Sequence, residues 1–163
     1  MRLISCLFAS LLCVSLPVWA DLHADLEKEE YVDKQFIEAE IQAVKRVSQE
    51  WAARFNAHQP IKVAALYGDS FILYATFTTK IDKPEPLVNY FVNLLKKKDI
   101  KVVYNEQNIR VHGAGAVDSG LYTFSFIDEK GKKVEVPARY TFVFELTPEG
   151  WQIVDHHSSV LPE

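Results

Sequence analysis

Cysteine is nearly absent: the chain has 163 residues and two cysteines, Cys6 and Cys13, both within the first twenty positions. If those positions are removed after synthesis, the chain keeps no disulfide, no thiol nucleophile and no thiolate metal ligand. Glycine is also scarce, and the sequence has no glycine-rich dinucleotide-binding fingerprint. Because the spacings H-x-H and H-E-x-x-H are missing as well, we predict neither a cofactor nor a metal site.

The first twenty residues have the pattern of a secretory signal peptide. Arg2 gives a positive start, residues 3–18 form a nearly unbroken apolar run, and Ala20 offers a small residue before Asp21. The run is too short and wrongly flanked for a stable membrane span, although a retained N-terminal anchor is the alternative. We therefore expect cleavage after Ala20, and a periplasmic or secreted protein of 163 − 20 = 143 residues.

The charge balance is mildly acidic. The chain has 18 lysines and arginines against 22 acidic residues, and loss of Arg2 would leave 17 − 22 = −5. This balance gives no indication of a nucleic-acid partner, and no later apolar run approaches the length of a membrane span. We expect no membrane contact after cleavage, a flexible acidic lead-in over residues 21–32, and one domain over residues 33–160.

The first half of that domain has helical periodicity. Apolar residues recur at spacings of three and four in a long N-terminal segment, at Ile37, Ile41, Val44, Val47, Trp51 and Phe55. A short second helix fits residues 61–68, and FILYATF (71–77) has the composition of a strand. After a loop with two prolines, a third helix is predicted from Leu87, with Pro86 in its first turn.

The second half changes to the alternation of β-strands. Strands are predicted over residues 101–105, 107–113, 116–128, 134–147 and 151–159. Helices followed by a long-stranded meander indicate an α+β fold. In that fold a strongly curved antiparallel sheet wraps the long N-terminal helix and the shorter helices, and leaves a conical cavity at its open end.

This order of elements resembles the nuclear transport factor 2-like superfamily of cone-shaped α+β domains. The local sequence is most similar to the association (hub) domain of calcium/calmodulin-dependent protein kinase II and its bacterial secreted relatives. The matching stretches are NYFVNL (89–94), GAGAV (113–117) and GWQIVDHHSS (150–159), within a resemblance that covers residues 33–160. The resemblance implies a domain that associates with itself, as a homodimer or a larger ring, and encloses a pocket. No kinase motif is present, so kinase activity is not implied.

The chain departs from that family at the pocket. The resemblance implies a basic pocket with three arginines on the last strands and a histidine on the third helix. At the aligned positions this chain has Tyr122, Phe142 or Val143, Ser158 and Leu87. Arg139 is the nearby replacement. The anion site of the family therefore does not transfer residue by residue.

The sequence Asp155-His156-His157 is the most chemically suggestive part of the chain. Neighbouring residues on a strand point to opposite faces, so Asp155 and His157 share a face that His156 does not. A two-residue turn at Glu149-Gly150 sets Asp155 and His157 inside, opposite Phe144 and Phe142. A three-residue turn slips the register by one, turns both towards Arg139, and brings His156 inward beside Phe142. The first register keeps the apolar residues together, and we favour it.

In the favoured register, Asp155 and His157 lie among Tyr122, Tyr140 and Tyr74. This group could perform acid–base catalysis, with His157 as general base oriented by Asp155. It could also orient a ligand in a pocket, or form a polar cluster that closes the sheet or an oligomer interface.

Arg139 has two interpretations of its own. At the mouth of a cavity it would bind a carboxylate through two parallel hydrogen bonds. On an exposed surface it would pair with Glu135 or Asp118 across neighbouring strands.

The favoured function is an exported, homo-oligomeric domain that binds a small polar or anionic ligand in its cone. One alternative is a small cofactor-free enzyme of the cyclase, isomerase or hydrolase type that uses Asp155 and His157. The other is a pure oligomerisation module.

Overall fold

The computed structural model describes residues 16–76 and 78–162. In chain order the elements are α1 (Leu16–Asn56), α2 (Pro60–Ala64), β1 (Tyr67–Tyr74), β2 (Lys80–Ile81), α3 (Pro84–Leu94), β3 (Lys98–His112), β4 (Gly115–Ile127), β5 (Lys133–Thr147) and β6 (Gly150–Val160). The strands form one six-stranded sheet in the order β2-β1-β6-β5-β4-β3. Strands β1 and β6 are parallel, and the other neighbouring pairs are antiparallel. The predicted α+β class is confirmed, with a long N-terminal helix and a curved sheet that does not close.

Helix α1 begins earlier than the sequence pattern predicts. It starts at Leu16 and includes residues 21–32, for which a flexible lead-in was expected. The chain has neither glycine nor proline between positions 18 and 59, so nothing in that stretch interrupts a helix. Residues 1–15, which carry most of the predicted signal peptide, lie outside the described residues. Among the residues described, no helix is long and apolar enough to cross a membrane.

The chain divides after Phe36 into two compact units, and the second contains the whole sheet. In this second unit, the apolar stripe of α1 packs against the inner face of the sheet. Val44 and Phe55 are fully buried, and the Trp51 ring lies 5.4 Å from Phe142 between ring centroids. Ile37, at the start of the predicted stripe, is 45% exposed.

Short elements between the helices and the sheet differ from the prediction. Helix α2 ends at Ala64, and β1 begins at Tyr67, where the end of a helix was predicted. The two-residue strand β2 pairs with the end of β1 inside the predicted loop. Two predicted strands are joined into β3, which continues through a register shift between Tyr104 and Glu106.

A β-bulge in β6 decides which side chains of the last strand face the helices. Ile153 pairs with Phe144 and Asp155 pairs with Val143, so Val154 has no partner on β5. A bulge of one residue reverses the alternation of faces. Both registers considered from the sequence assumed uniform pairing after the turn, and the bulge is the reason that neither describes the whole strand.

Candidate functional site

The bulge directs His156, and not His157, into the interior. His156 pairs with Phe142, and the two rings lie 4.2 Å apart between centroids. His156 is 3% exposed. The favoured placement of Asp155 and His157 in the interior is therefore wrong. The alternative placement of His156 beside Phe142 is confirmed, although a bulge at Val154 produces it instead of a longer turn.

Asp155 and His157 lie on the outer face of the sheet, the face opposite α1. Asp155 is partly buried and His157 is exposed. Burial raises the pKa of the Asp155 carboxyl, and the neighbouring His157 opposes that shift. Tyr74 pairs with His157 across β1 and β6 and is 50% exposed, so its predicted interior placement is also wrong. The inward positions of β1 are taken by Phe71 and Leu73 instead.

Arg139 belongs to the same outer face. Its Nε donates a hydrogen bond to Ser159 Oγ at 2.9 Å. Together with Thr141, His157 and Ser159 it lines a shallow depression of about 100 Å³. Arg139 forms neither of the ion pairs predicted for it, with Glu135 or with Asp118. Glu135 pairs with Lys133 instead, and the carboxylate of Asp118 is buried on the other side of the sheet.

Tyr122 and Tyr140 lie inside, as predicted, with ring centroids 4.8 Å apart. The Tyr122 hydroxyl donates a hydrogen bond to Ser158 Oγ, which also contacts Thr76 Oγ1. Burial raises the pKa of both tyrosines, so both stay protonated as donors.

Asp118 is an interior residue that the sequence interpretation missed. It is fully buried, and it accepts hydrogen bonds from Ser48 Oγ at 2.6 Å, Gln107 Nε2 at 3.0 Å and the Tyr140 hydroxyl at 2.9 Å. Three donors replace the water that this carboxylate loses on burial. The signal was present in the sequence, because Asp118 shares the inward alternation of β4 with Ala116 and Tyr122.

His156 is held by a chain of hydrogen bonds that begins on α1. Trp51 Nε1 donates to the Tyr67 hydroxyl at 3.3 Å, and the Tyr67 oxygen lies 2.8 Å from His156 Nδ1. The other ring nitrogen, Nε2, is buried and has no hydrogen-bond partner. Burial lowers the pKa of His156 to about 3, so the imidazole is neutral near pH 7.

A small cavity of about 10 Å³ lies beside this imidazole. Its polar wall consists of Thr76, Tyr90, Tyr122, His156 and Ser158, and its remaining wall is aromatic or aliphatic. That volume is about what one water molecule requires. Trp51 and Phe91 are among the side chains that fill the space around this cavity.

Metal ligands do not converge in the described part of the chain. No group of three or more histidine, cysteine, aspartate or glutamate residues there is placed to hold an ion.

Solved structures place this fold in a known class. A protein described as a dehydratase of the nuclear transport factor 2-like family, from Streptomyces avermitilis, superposes with a TM-score of 0.70 at 14% identity, over 78% of this chain and 99% of that chain. A ketosteroid isomerase-like protein from Erwinia carotovora atroseptica gives 0.65 at 14% identity, over 76% and 98%. These likenesses show the fold alone. It is nuclear transport factor 2-like.

Sequence similarity narrows the class to a family. Residues 40–162 match the family described as the calcium/calmodulin dependent protein kinase II association domain, and the chain belongs to that family. A protein described as such a domain, from Xanthomonas campestris, is 39% identical, with a TM-score of 0.68 over 74% of this chain and 86% of that chain. Membership of this family implies association of the chain with itself. A comparison with curated proteins finds no match.

Proposed function

We propose that this chain is an exported association domain that assembles with copies of itself through the outer face of its sheet. The observation that carries the proposal is a row of outward side chains across β1, β6, β5 and β4, which is apolar on three of these four strands. Ile72 pairs with Asp155, Asp155 with Val143, and Val143 with Val117. Exposed apolar surface that spans several strands is typical of protein interfaces.

The outer face has the composition of a self-complementary surface. Apolar side chains lie at its centre, and Ile72 is 37% exposed. Arg139, Asp155 and His157 add charge or hydrogen-bonding capacity beside them. In a two-fold dimer the same patch meets itself, so opposite charges on one face can pair between the two copies.

A charge placed in this face tests the proposal. In Val143→Lys, a half-buried outer side chain becomes a cation that would be desolvated in the interface. We expect the dissociation constant, measured by sedimentation velocity, to rise more than about tenfold, which corresponds to about 1.4 kcal/mol. The matched control is Ile61→Lys, which changes a 70% exposed residue on α2. Equal dissociation constants for Val143→Lys and the unsubstituted chain would show that the interface does not include this face of the sheet.

We further propose that the interior holds a small polar ligand beside His156. The supporting observations are that His156 lines a cavity with hydroxyl groups and that its Nε2 is buried without a hydrogen-bond partner. A buried polar atom without a partner is rare, and it marks a position where a water molecule or ligand atom completes the hydrogen bonding. The acid–base enzyme alternative has no comparable support, because Asp155 and His157 do not share this interior.

Export is the remaining part of the proposal, and it is supported by the signal-like pattern of residues 1–20. In the uncut chain, residues 16–20 form the first part of α1. Intact mass measurement of the protein from its native source tests the cut. Loss of residues 1–20 is expected, and a chain that retains Met1 or Arg2 would contradict export by this route.

A further inference from the structure

We propose that the cavity beside His156 binds the oxygen of a small uncharged hydrogen-bond acceptor, such as an amide, ketone or alcohol, and rejects carboxylates. This inference rests on the proposed interior ligand site and names the chemical class that the site selects. It departs from the basic, anion-binding pocket that the family resemblance implies.

The tautomer of His156 follows from the hydrogen-bond chain. An indole N–H can only donate, so the Tyr67 oxygen accepts from Trp51. A phenol oxygen can accept a second hydrogen bond, so the bond from Trp51 does not fix the tautomer by itself. We assign the hydroxyl hydrogen of Tyr67 to His156 Nδ1, 2.8 Å away, because this direction gives the buried hydrogen an acceptor. In a neutral imidazole the proton therefore lies on Nε2. The buried nitrogen that lacks a partner is a donor, and it requires an acceptor oxygen.

The cavity provides no positive charge for an anion. Among the described residues that line it, none carries a formal charge, and its polar groups are hydroxyls and the neutral imidazole. Tyr122 and Ser158 stand where the family resemblance implies arginines. A charged group in the same interior is the carboxylate of Asp118. It accepts a hydrogen bond from Tyr140, and the Tyr140 ring packs against Tyr122 in the cavity wall. Burial of an unpaired anion in such surroundings is strongly unfavourable, whereas a neutral oxygen matches the free N–H.

The shape of the cavity defines how such a ligand would sit. The cavity holds about one water molecule, so the acceptor oxygen takes that water's position against His156. Thr76 and Tyr90 are the partly exposed residues of its wall, while the other wall residues are buried. The ligand body therefore enters between Thr76 and Tyr90, and displacement of these two side chains gives it room.

Acetamide and acetate form a matched pair of probes, because they have nearly the same shape and differ in charge. The measurement is the His156 ring signal in ¹⁵N–¹H correlation spectra of the full chain during titration with each probe. We expect a proton on Nε2 and an unprotonated Nδ1 in the free protein. Acetamide should shift the Nε2–H signal saturably, with a dissociation constant at least about tenfold lower than that of acetate.

Variants and an independent measurement separate the possible outcomes. His156→Phe should abolish saturable acetamide binding, followed in this variant by the indole Nε1–H signal of Trp51 in the cavity wall. His112→Phe, at an exposed position at the end of β3, should leave the binding unchanged. If His156→Phe does not fold, Ser158→Ala tests the same wall. Acetate binding as tight as acetamide binding, or no shift with either probe, overturns the proposal. Light scattering on the same samples reports self-association separately, so failure of the ligand class and failure of the association proposal are distinguishable.

Discussion

Ile153 and His156 lie on the same inward face of β6 although three positions separate them. Strict alternation would place them on opposite faces, and the unpaired Val154 removes the conflict. The consequence is chemical: an imidazole enters the aromatic interior, and the Asp155–His157 pair is turned to the outer face. The bulge therefore determines that His156 belongs to the proposed interior ligand site, and that Asp155 and His157 belong to the proposed outer interface.

Acidification should destabilise the protein through His156. In the folded chain its pKa is lowered to about 3, whereas 6.5 is the ordinary value expected on unfolding. Between these values the unfolded chain binds a proton that the folded chain does not, so stability is complete above 6.5 and falls as the pH falls. The slope from this residue is at most about 1.4 kcal/mol per pH unit.

Urea unfolding between pH 4.5 and 7 at one fixed protein concentration measures this slope. His156→Phe should flatten it, because phenylalanine fits the same aromatic surroundings and does not titrate. His112→Phe, at an exposed position at the end of β3, should retain the slope. A slope that is the same with and without His156 would show that other groups cause the acid sensitivity.

Gly120 should not tolerate a side chain. A Cβ at this position would lie 2.0 Å from the backbone oxygen of Glu106, next to the register shift in β3. Since a backbone atom cannot yield as a flexible side chain does, we expect Gly120→Ala to cost about 2 kcal/mol or more in the free energy of unfolding. Gly115→Ala is the matched control on the same strand, because its Cβ would meet nothing closer than 3.7 Å. Equal unfolding midpoints for the two variants would contradict this account.

Asp118 should be essential for the stability of the interior. In Asp118→Asn, an NH₂ group replaces one acceptor oxygen and faces either the donors Ser48 and Gln107, which share Oδ2, or the donor Tyr140 at Oδ1. We expect a loss of about 2–4 kcal/mol in chemical denaturation, the cost of buried polar groups left without partners. Asp69→Asn on the exposed part of β1 is the control, and its midpoint should stay close to that of the unsubstituted chain. A loss below about 0.5 kcal/mol in Asp118→Asn would mean that water or rearrangement satisfies these donors.

The sequence predicted the elements whose periodicity is continuous. The apolar stripe of α1 and the alternation through Tyr140, Phe142 and Phe144 each bury a full face, so a change of register would expose several large side chains at once. These constraints predict the α+β fold and the inward positions of Tyr122 and Tyr140 correctly, whereas the predicted inward position of Tyr74 is wrong.

Local irregularities were not predictable in the same way. The bulge at Val154 changes one pairing and leaves the apolar residues Trp151 and Ile153 inside, so the pattern of hydrophobicity does not report it. The short strand β2 is too brief to show alternation. The role of His156 as a donor depends on the long-range contact with Tyr67, 89 positions away, which no local pattern encodes.

The central claim is that the chain associates with itself through the outer face of its sheet. Native mass spectrometry of the purified protein, recorded over a range of concentrations and compared with Val143→Lys, tests it most directly. The account predicts a dimer or a larger closed ring for the unsubstituted chain and a shift to protomers in Val143→Lys. A protomer at every concentration, or an assembly that Val143→Lys leaves intact, would contradict it.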